Sequence, residues 1–292
     1  MPHAACYRGA VDPIRAAVVQ SNATSDHRAC MASARAACEA AAEAGATLVL
    51  LPENYSGIAP ASRRRAWAFG PDQPETASAL APLCEISAKH PVWIVAGGTP
   101  EAAPDGRLFN TSVVVAQGRV RACYRKIHLF DAKVPGQPPL RESEEVAPGD
   151  GAVAVRTPWG VVGLSICYDL RFAELYRGLA DAGAEILTVP AAFTYPSGEA
   201  HWEILVRARA IETQCFALAA AQHGDHGGGR RSWGHAMIVD PWGRILAQAQ
   251  HGDAVVLADL SPASLDEARA RIPCGQHHVD AQRLRVDVID AR

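Results

Sequence analysis

Apolar residues along the chain form two kinds of pattern, continuous runs of strand length and sets with helical spacing. Residues 14–20 and 46–51 are apolar runs, and the alanine-rich segment between them has helical spacing and closes at Gly45. Strand, helix and strand in this order predict a parallel pair of strands. Further runs predict strands at residues 92–98, 109–116, 119–125, 161–166, 184–193, 216–222, 234–240, 244–247 and 254–258, and helical spacing predicts helices at residues 77–90, 172–183, 201–214 and 261–271.

The alternation of strands and helices continues without a linker, a repeat or a low-complexity segment, which predicts one α/β domain with an interior sheet system. We expect residues 1–292 to form this single domain, with its core at about residues 14–273. The chain is 49% hydrophobic, enough for a substantial core. Residues 132–150 are rich in proline, glycine and acidic residues, and a connection of this length predicts a lid or a binding loop.

Charge and composition narrow the class of protein. Charged residues make up 20% of the chain and the net charge is −3, so no strong field favours a nucleic acid or a membrane surface as partner. No run of about 18 apolar residues occurs, and the first residues lack the order of a signal peptide. The eight cysteines are scattered without a C-x-x-C pair, which argues against a disulfide framework and a cysteine-rich zinc site. These features predict a soluble, cytoplasmic protein.

A base, a cation and a thiol occur where predicted strands end. Glu53 follows the run at 46–51, Lys126 follows the strand at 119–125, and Cys167 ends the run at 161–166. Ligands of open α/β sheets bind at the carboxyl ends of strands. A desolvated carboxylate can accept the proton of a thiol, and a nearby lysine can favour the thiolate and stabilise an oxyanion. The set predicts a hydrolytic site; spacing alone leaves open that the three residues lie apart and that Cys167 is an inert core residue.

Other clusters of reactive residue types are expected to be structural or solvated. His223 and His226 share a glycine-rich segment that predicts a flexible loop, and His277 is followed by a second histidine, but their spacing matches no zinc motif, so we expect no metal. The three consecutive arginines at 63–65 predict a solvated loop or helix start. The arginines at 207 and 209 are expected at the surface or an interface.

Three segments of the chain resemble the signature segments of the nitrilase superfamily of carbon–nitrogen hydrolases. They are residues 51–54, 124–131 and 165–172, each with its reactive residue in place, and the resemblance extends from residue 15 to about residue 273. It implies a four-layer α-β-β-α sandwich and a Glu53–Lys126–Cys167 triad. It also implies homodimers or larger homo-oligomers. The tail after residue 273 departs from the basic end expected of such proteins.

The same resemblance implies further roles around the triad. Glu142, in the predicted lid, would hold Lys126 and help to position the substrate amide; the alternative is a solvated acid in a charged loop. The backbone N–H of Tyr168 would stabilise an oxyanion together with Lys126.

The substrate is expected to carry a carboxylate or an α-keto acid, which requires a cationic partner. Arg171 is the candidate, with Phe193 and Thr194 as pocket wall. Arg171 could instead pair with Asp169 or another buried acid and serve only the structure.

Within the superfamily the sequence is similar to the Nit branch. Residues 193–198, 200–214, 219–222 and 233–243 carry this likeness to the deaminated glutathione amidases. What it implies is hydrolysis by water of the primary amide of a small carboxylic or α-keto acid, through a cysteine thioester and with release of ammonia, without a metal or an organic cofactor. An ω-amidase acting on α-ketoglutaramate, another aliphatic amidase or nitrilase, and a non-catalytic binding module are the alternatives.

Overall fold

The structure, a computed structural model, describes residues 14–70, 72, 74–136 and 139–279. Its strands, in chain order, are β1 (Ile14–Ser21), β2 (Leu48–Leu51), β3 (Trp93–Ala102), β4 (Leu108–Ala116), β5 (Arg119–Arg125), β6 (Asp131–Ala132), β7 (Leu140–Arg141), β8 (Ala154–Thr157), β9 (Gly160–Leu164), β10 (Ala184–Thr188), β11 (Phe216–Ala219), β12 (Ala221–Asp225), β13 (Arg231–Trp233), β14 (Met237–Val239), β15 (Ile245–Gln248) and β16 (Ala254–Leu260). Together with the helices between these strands, they confirm the predicted α/β class.

Two main sheets contain most of these strands. The larger sheet has the order β13-β12-β1-β2-β3-β4-β5, and β16 pairs with β1 in antiparallel register. The smaller has the order β15-β14-β11-β10-β9-β8, and β6 and β7 form a separate two-stranded sheet. The pairs β1–β2 and β2–β3 are parallel, as are β9–β10 and β10–β11, so the chain after β2 and after β9 leaves each sheet at a carboxyl edge.

Helices α1 and α3 cover the outer face of the larger sheet, and α4 and α5 cover that of the smaller sheet. The helices are α1 (His27–Glu43), α2 (Ala61–Arg64), α3 (Ala81–Lys89), α4 (Ala173–Asp181), α5 (Tyr195–Thr213), α6 (Pro262–Arg271) and α7 (Cys274–His277). Alternate residues of β1 belong to two separate cores: Ala17 and Val19 pack with α1 and α3, whereas Ala16 and Val18 pack in the core that contains the smaller sheet, α4 and α5. The layers thus follow the order helix, sheet, sheet, helix, in agreement with the expected sandwich.

The chain changes sheets where a single strand was expected. Residues 216–222 form β11 in the smaller sheet and β12 in the larger one, with Ala220 between them. The segment is buried on both sides of the crossing, so its apolar pattern is continuous although its hydrogen-bond partners change. The predicted flexible loop at 223–231 was also wrong in part, because its ends belong to β12 and β13. The strand expected at 184–193 ends at Thr188, and α5 begins at Tyr195, earlier than predicted.

A glycine pair lets the two sheets approach each other. Gly97 and Gly98 lie in β3, where its register with β4 shifts between Ala96 and Thr99. A Cβ atom on Gly97 would collide with the ring of Pro190 and lie 2.6 Å from the Leu51 carbonyl oxygen. Leu51 ends β2 and Pro190 follows β10, so Gly97 sets the distance between the carboxyl ends of strands from different sheets.

Replacing Gly97 by alanine tests this close approach. Overpacking a filled core costs about 1–3 kcal/mol, and we expect Gly97→Ala to lower the free energy of unfolding by this amount in denaturant titrations. Gly178→Ala is the matched control, because Gly178 is exposed in α4 with open space around it. Equal stability of both variants would show that the sheets can separate without cost.

Candidate active site

The three predicted reactive residues come from both sheets. Glu53 follows β2 and Lys126 follows β5 of the larger sheet, whereas Cys167 lies just beyond β9 of the smaller sheet. Cys167 has a left-handed backbone (φ 50°), and its N–H donates to the Pro190 carbonyl at 2.9 Å. It starts a short 3-10 helix (Cys167–Arg171) rather than α4, which begins at Ala173. The structure thus brings the three residues to one place.

A buried ion cluster joins Lys126 to two glutamates. The Lys126 ammonium lies 3.0 Å from Glu53 Oε1 and 2.8 and 3.0 Å from the two carboxylate oxygens of Glu142. The Lys126 side chain is only 1% exposed. The Phe130 N–H also donates to Glu142 at 2.7 Å. Glu142 therefore contacts Lys126 as expected, and the alternative of a solvated acid was wrong.

Asn110 holds both glutamates and was missed by the sequence analysis. Its side-chain amide donates to Glu53 Oε1 at 2.9 Å and to Glu142 Oε1 at 3.1 Å. The backbone N–H of Ala192 donates to Glu53 Oε2 at 3.0 Å, so both oxygens of that carboxylate are fixed. The available signal was an amide side chain in the first half of β4, which continues with Thr111 and Ser112 before its apolar second half.

The charges of the cluster set the protonation states of the site. Burial raises the pKa of Glu53, but the Lys126 charge and hydrogen bonds with Cys167 and Lys126 outweigh it, so this pKa is lowered from the ordinary 4.5. Burial opposes the Lys126 charge, yet the carboxylates of Glu142 and Glu53 raise its pKa above 10.5. Burial and the Glu53 charge raise the pKa of Cys167 well above 9.0. A carboxylate thus faces a protonated thiol at neutral pH.

Asp169 organises the turn that carries Cys167. Its carboxylate accepts hydrogen bonds from the Tyr124 hydroxyl (2.7 Å), the Ile166 N–H (2.8 Å) and the His128 N–H (3.1 Å). The His128 ring lies against Phe172, with ring centroids 3.6 Å apart. Asp169 is therefore satisfied without Arg171, and the alternative in which these two residues pair was wrong.

A small cavity beside Cys167 contains the predicted substrate-binding residues. Tyr168, Arg171, Phe193 and Thr194 all line it. The Arg171 guanidinium lies 5.3 Å from the Phe193 ring centroid and 3.3 Å from His201 Nδ1. Arg209, in contrast, was expected at the surface but is buried, and it donates to the Leu170 carbonyl at 3.0 Å.

A larger cavity of about 360 Å³ lies on the other side of Cys167. Glu53, Lys126 and Glu142 line it, and none of them lines the smaller cavity. Two arginines that the sequence analysis did not select, Arg64 and Arg230, also line it. Arg64, one of the three consecutive arginines, is not solvated as expected: it donates to Glu145 at 2.8 Å, and its buried Nε finds no hydrogen-bond partner among the residues that the structure describes.

The histidines have structural contacts. His226 Nδ1 lies 2.8 Å from the Ala23 carbonyl oxygen and its Nε2 lies 2.9 Å from Ser232 Oγ, and burial lowers its pKa to about 4. His223 lies 2.7 Å from Asp253. Within residues 14–70, 72, 74–136 and 139–279, no group of three or more histidine, cysteine or acidic side chains is arranged to hold a metal ion.

Comparison with known proteins agrees with this geometry. Residues 15–270 match the carbon-nitrogen hydrolase family. The chain belongs to this family. It is 43% identical to the deaminated glutathione amidase of Mus musculus over 81% of this chain and 74% of that protein. It is 37% identical to the chloroplastic omega-amidase of Arabidopsis thaliana over 91% of this chain and 74% of that protein. The crystal structure of a Saccharomyces cerevisiae member of branch 10 of the nitrilase superfamily superposes with a TM-score of 0.82 at 28% identity, over 94% and 97% of the two chains.

The predicted family and enzyme class are therefore confirmed: the chain is a carbon–nitrogen hydrolase with amidase relatives. No helix in the described part of the chain is long and apolar enough to span a bilayer.

Replacing Glu53 by glutamine separates the acidity of the thiol from proton transfer. The Glu53 charge raises the pKa of Cys167 and the Lys126 charge lowers it, so Glu53→Gln should lower the pKa of Cys167. Turnover should nevertheless fall about 100- to 10,000-fold, because no group accepts and returns the proton. The ultraviolet absorbance of the thiolate across pH, taken as a difference from Cys167→Ala, measures the first effect.

Glu39→Gln is the control, since Glu39 lies on α1, outside the cavity lining, is 42% exposed and pairs with Arg35. We expect it to change neither the Cys167 pKa nor the turnover number. An unchanged or higher Cys167 pKa in Glu53→Gln, or full turnover by that variant, would contradict a general-base role of Glu53.

Proposed function

We propose that the chain is an amidase that uses Cys167 as nucleophile, Glu53 as general base and acid, and Lys126 with the Tyr168 N–H as oxyanion stabilisers. The observation that supports this most is the buried contact of Lys126 with Glu53 and Glu142 beside a protonated thiol. Glu142 has a positioning role, since its carboxylate fixes the ammonium.

In the first half-reaction Glu53 accepts the thiol proton while Cys167 Sγ forms a bond to the amide carbonyl carbon. The negative charge moves to the carbonyl oxygen, where the Lys126 ammonium and the Tyr168 N–H stabilise it. The carbon–nitrogen bond then breaks, Glu53 returns the proton to the leaving nitrogen, and an amine departs. The acyl group remains as a thioester on Cys167.

In the second half-reaction a water molecule replaces the amine. Glu53 accepts one proton of the water while the water oxygen attacks the thioester carbonyl carbon. The carbon–sulfur bond breaks, and the sulfur receives the proton from Glu53. A carboxylic acid is released, and the site returns to its resting state.

The preferred substrate in this proposal is deaminated glutathione, after which the Mus musculus relative is named. The release of ammonia expected from the sequence applies to α-ketoglutaramate, which has a primary amide. Glutathione is γ-glutamylcysteinylglycine and has only secondary amides, so its deaminated form releases a peptide amine. Both substrates can share the α-keto dicarboxylic acyl group, for which Arg171, Phe193 and Thr194 in the smaller cavity are the proposed contacts.

We expect wild-type enzyme to hydrolyse deaminated glutathione with a kcat/KM at least about tenfold above that for α-ketoglutaramate. The two substrates differ in the leaving group, and a site that binds the peptide amine discriminates against a substrate that lacks it. Cys167→Ala should lower kcat/KM for both substrates by at least about 1,000-fold. Release of peptide amine and of ammonia measures the two reactions. Cys123→Ala is the control, since Cys123 is exposed on β5.

A higher kcat/KM for α-ketoglutaramate than for deaminated glutathione would make the protein an ω-amidase. Hydrolysis of neither substrate would contradict both assignments.

We also propose a homodimer, located in the cytoplasm and built from a single domain with its core at residues 14–273. Cysteines 30, 38, 84, 123, 167, 215 and 274 are free, as in a reducing compartment. Exposed apolar side chains support the dimer: Ile204 is 68% exposed, and Ile211, two helical turns further along α5, is 49% exposed. Trp242 and Ile272 are also exposed, and Ile211 lies against Gly243 beside Trp242.

The double variant Ile204→Glu/Ile211→Glu tests this α5 surface. An unpaired charge buried in an interface is costly, so we expect the dissociation constant of the dimer to rise about 100-fold or more. Sedimentation velocity over a concentration series measures it, with Ala36→Glu on the exposed side of α1 as control. A monomeric wild type, or a double variant that dimerises normally, would contradict the proposed interface.

A further inference from the structure

The two cavities beside Cys167 have different chemical roles if Glu53 is the acid that protonates the leaving nitrogen. Glu53 lines the larger cavity and not the smaller one. The leaving nitrogen must come within hydrogen-bond reach of the carboxyl group that returns the proton. The leaving group therefore lies in the larger cavity, and the acyl group extends toward Arg171. The smaller cavity on that side has a volume of about 20 Å³, so its side chains must move when the acyl group binds. This step rests on the function proposed above.

The larger cavity exceeds the needs of ammonia. Its volume is about 360 Å³, whereas a molecule the size of water occupies about 30 Å³. A cavity of this size on the leaving-group side fits an amine as large as a dipeptide.

The charges around the larger cavity are paired with one exception. Lys126 contacts Glu53 and Glu142 at 3.0 and 2.8 Å, Arg64 contacts Glu145 at 2.8 Å, and Arg141 lies 3.5 Å from Glu144. Among the described residues that line this cavity, Arg230 is the cation without a carboxylate partner. Its positive charge reaches the reaction centre, since it contributes to lowering the pKa of Glu53.

The backbone that carries Arg230 is anchored rather than free. The His226 N–H donates to the Arg230 carbonyl at 2.9 Å, and the Arg230 N–H donates to the Gly227 carbonyl at 3.1 Å. Buried His226 is itself held by the Ala23 carbonyl and the Ser232 hydroxyl. The half-buried Arg230 is therefore presented to the cavity from a closed turn, so less ordering is required when it binds an anion.

We propose that Arg230 and the larger cavity form a leaving-group subsite that binds the terminal carboxylate of a peptide-like amine. An unpaired guanidinium favours a carboxylate through charge-assisted hydrogen bonds. Deaminated glutathione supplies this carboxylate on its glycine residue, whereas the ammonia released from α-ketoglutaramate has none. Arg230 is thus a specificity residue that distinguishes two substrates with the same acyl group.

The test compares kcat and KM of wild type, Arg230→Gln and Arg230→Lys on deaminated glutathione, on its C-terminal carboxamide and on α-ketoglutaramate. Arg230→Gln should lower kcat/KM for deaminated glutathione about 10- to 100-fold, mainly through KM, as expected for the loss of a charged hydrogen bond. Arg230→Lys should retain part of the kcat/KM that Arg230→Gln loses on deaminated glutathione. The carboxamide should be a poorer substrate of wild type, and Arg230→Gln should affect neither the carboxamide nor α-ketoglutaramate by more than about twofold.

Arg231→Gln is the matched control, because Arg231 is the adjacent exposed arginine and lies 4.7 Å from the Tyr195 ring centroid, outside the cavity lining. It should leave all three substrates unchanged.

The outcomes separate the subsite from the proposed function. Hydrolysis of none of the substrates by wild type contradicts the amidase function itself. If wild type hydrolyses deaminated glutathione and Arg230→Gln has the same kcat/KM for it, the subsite alone is overturned. An equal loss on all three substrates also overturns it, because Arg230 would then act on the shared acyl half or on Glu53.

Discussion

The buried charge of Lys126 is the interaction on which both the fold near the site and the chemistry depend. A lysine that is 1% exposed would lose its proton without nearby carboxylates. Glu53 and Glu142 keep it charged, and each comes from a different part of the chain, one from the end of β2 and one from the short helical turn after β7. Removing one partner of such a buried pair costs about 3–5 kcal/mol, because the remaining charge is uncompensated. The ion cluster therefore fixes the turn that carries Glu142 against the larger sheet and positions the ammonium.

The distance between base and nucleophile is a property of how the two sheets pack. Glu53 belongs to the larger sheet and Cys167 to the smaller one, so neither sheet alone forms the site. One hydrogen bond crosses the interface directly, because the Ala192 N–H donates to the Glu53 carboxylate. The crossing at Ala220 places Gln222 in the larger sheet, where its side chain donates to the Glu53 carbonyl at 3.0 Å. A change in sheet packing would therefore change the separation of Glu53 and Cys167.

The positions of Glu53 and Cys167 beside strand ends could be predicted from the sequence because buried strands have apolar runs that end abruptly in polar groups. Periodicity could not reveal the crossing at Ala220, since the run is buried in both sheets. Asn110, Arg64 and Arg230 come from distant stretches and meet only through tertiary packing. The glycines before Arg230 indicate mobility by composition, whereas the contacts of His226 that hold the turn are long-range and have no local signature.

The proposed mechanism places a limit on where selectivity can arise. In this mechanism deaminated glutathione and α-ketoglutaramate yield the same thioester on Cys167 when the bond to the γ-carbonyl is cleaved, so the second half-reaction is chemically identical for both. Any discrimination between them must then occur before the amine departs, in binding or in the breaking of the carbon–nitrogen bond. Only side chains on the leaving-group side contact a part of the substrate that differs. In the proposed mechanism the larger cavity is therefore the part of this site in which substrate preference can change, while the groups that hydrolyse the thioester stay unchanged.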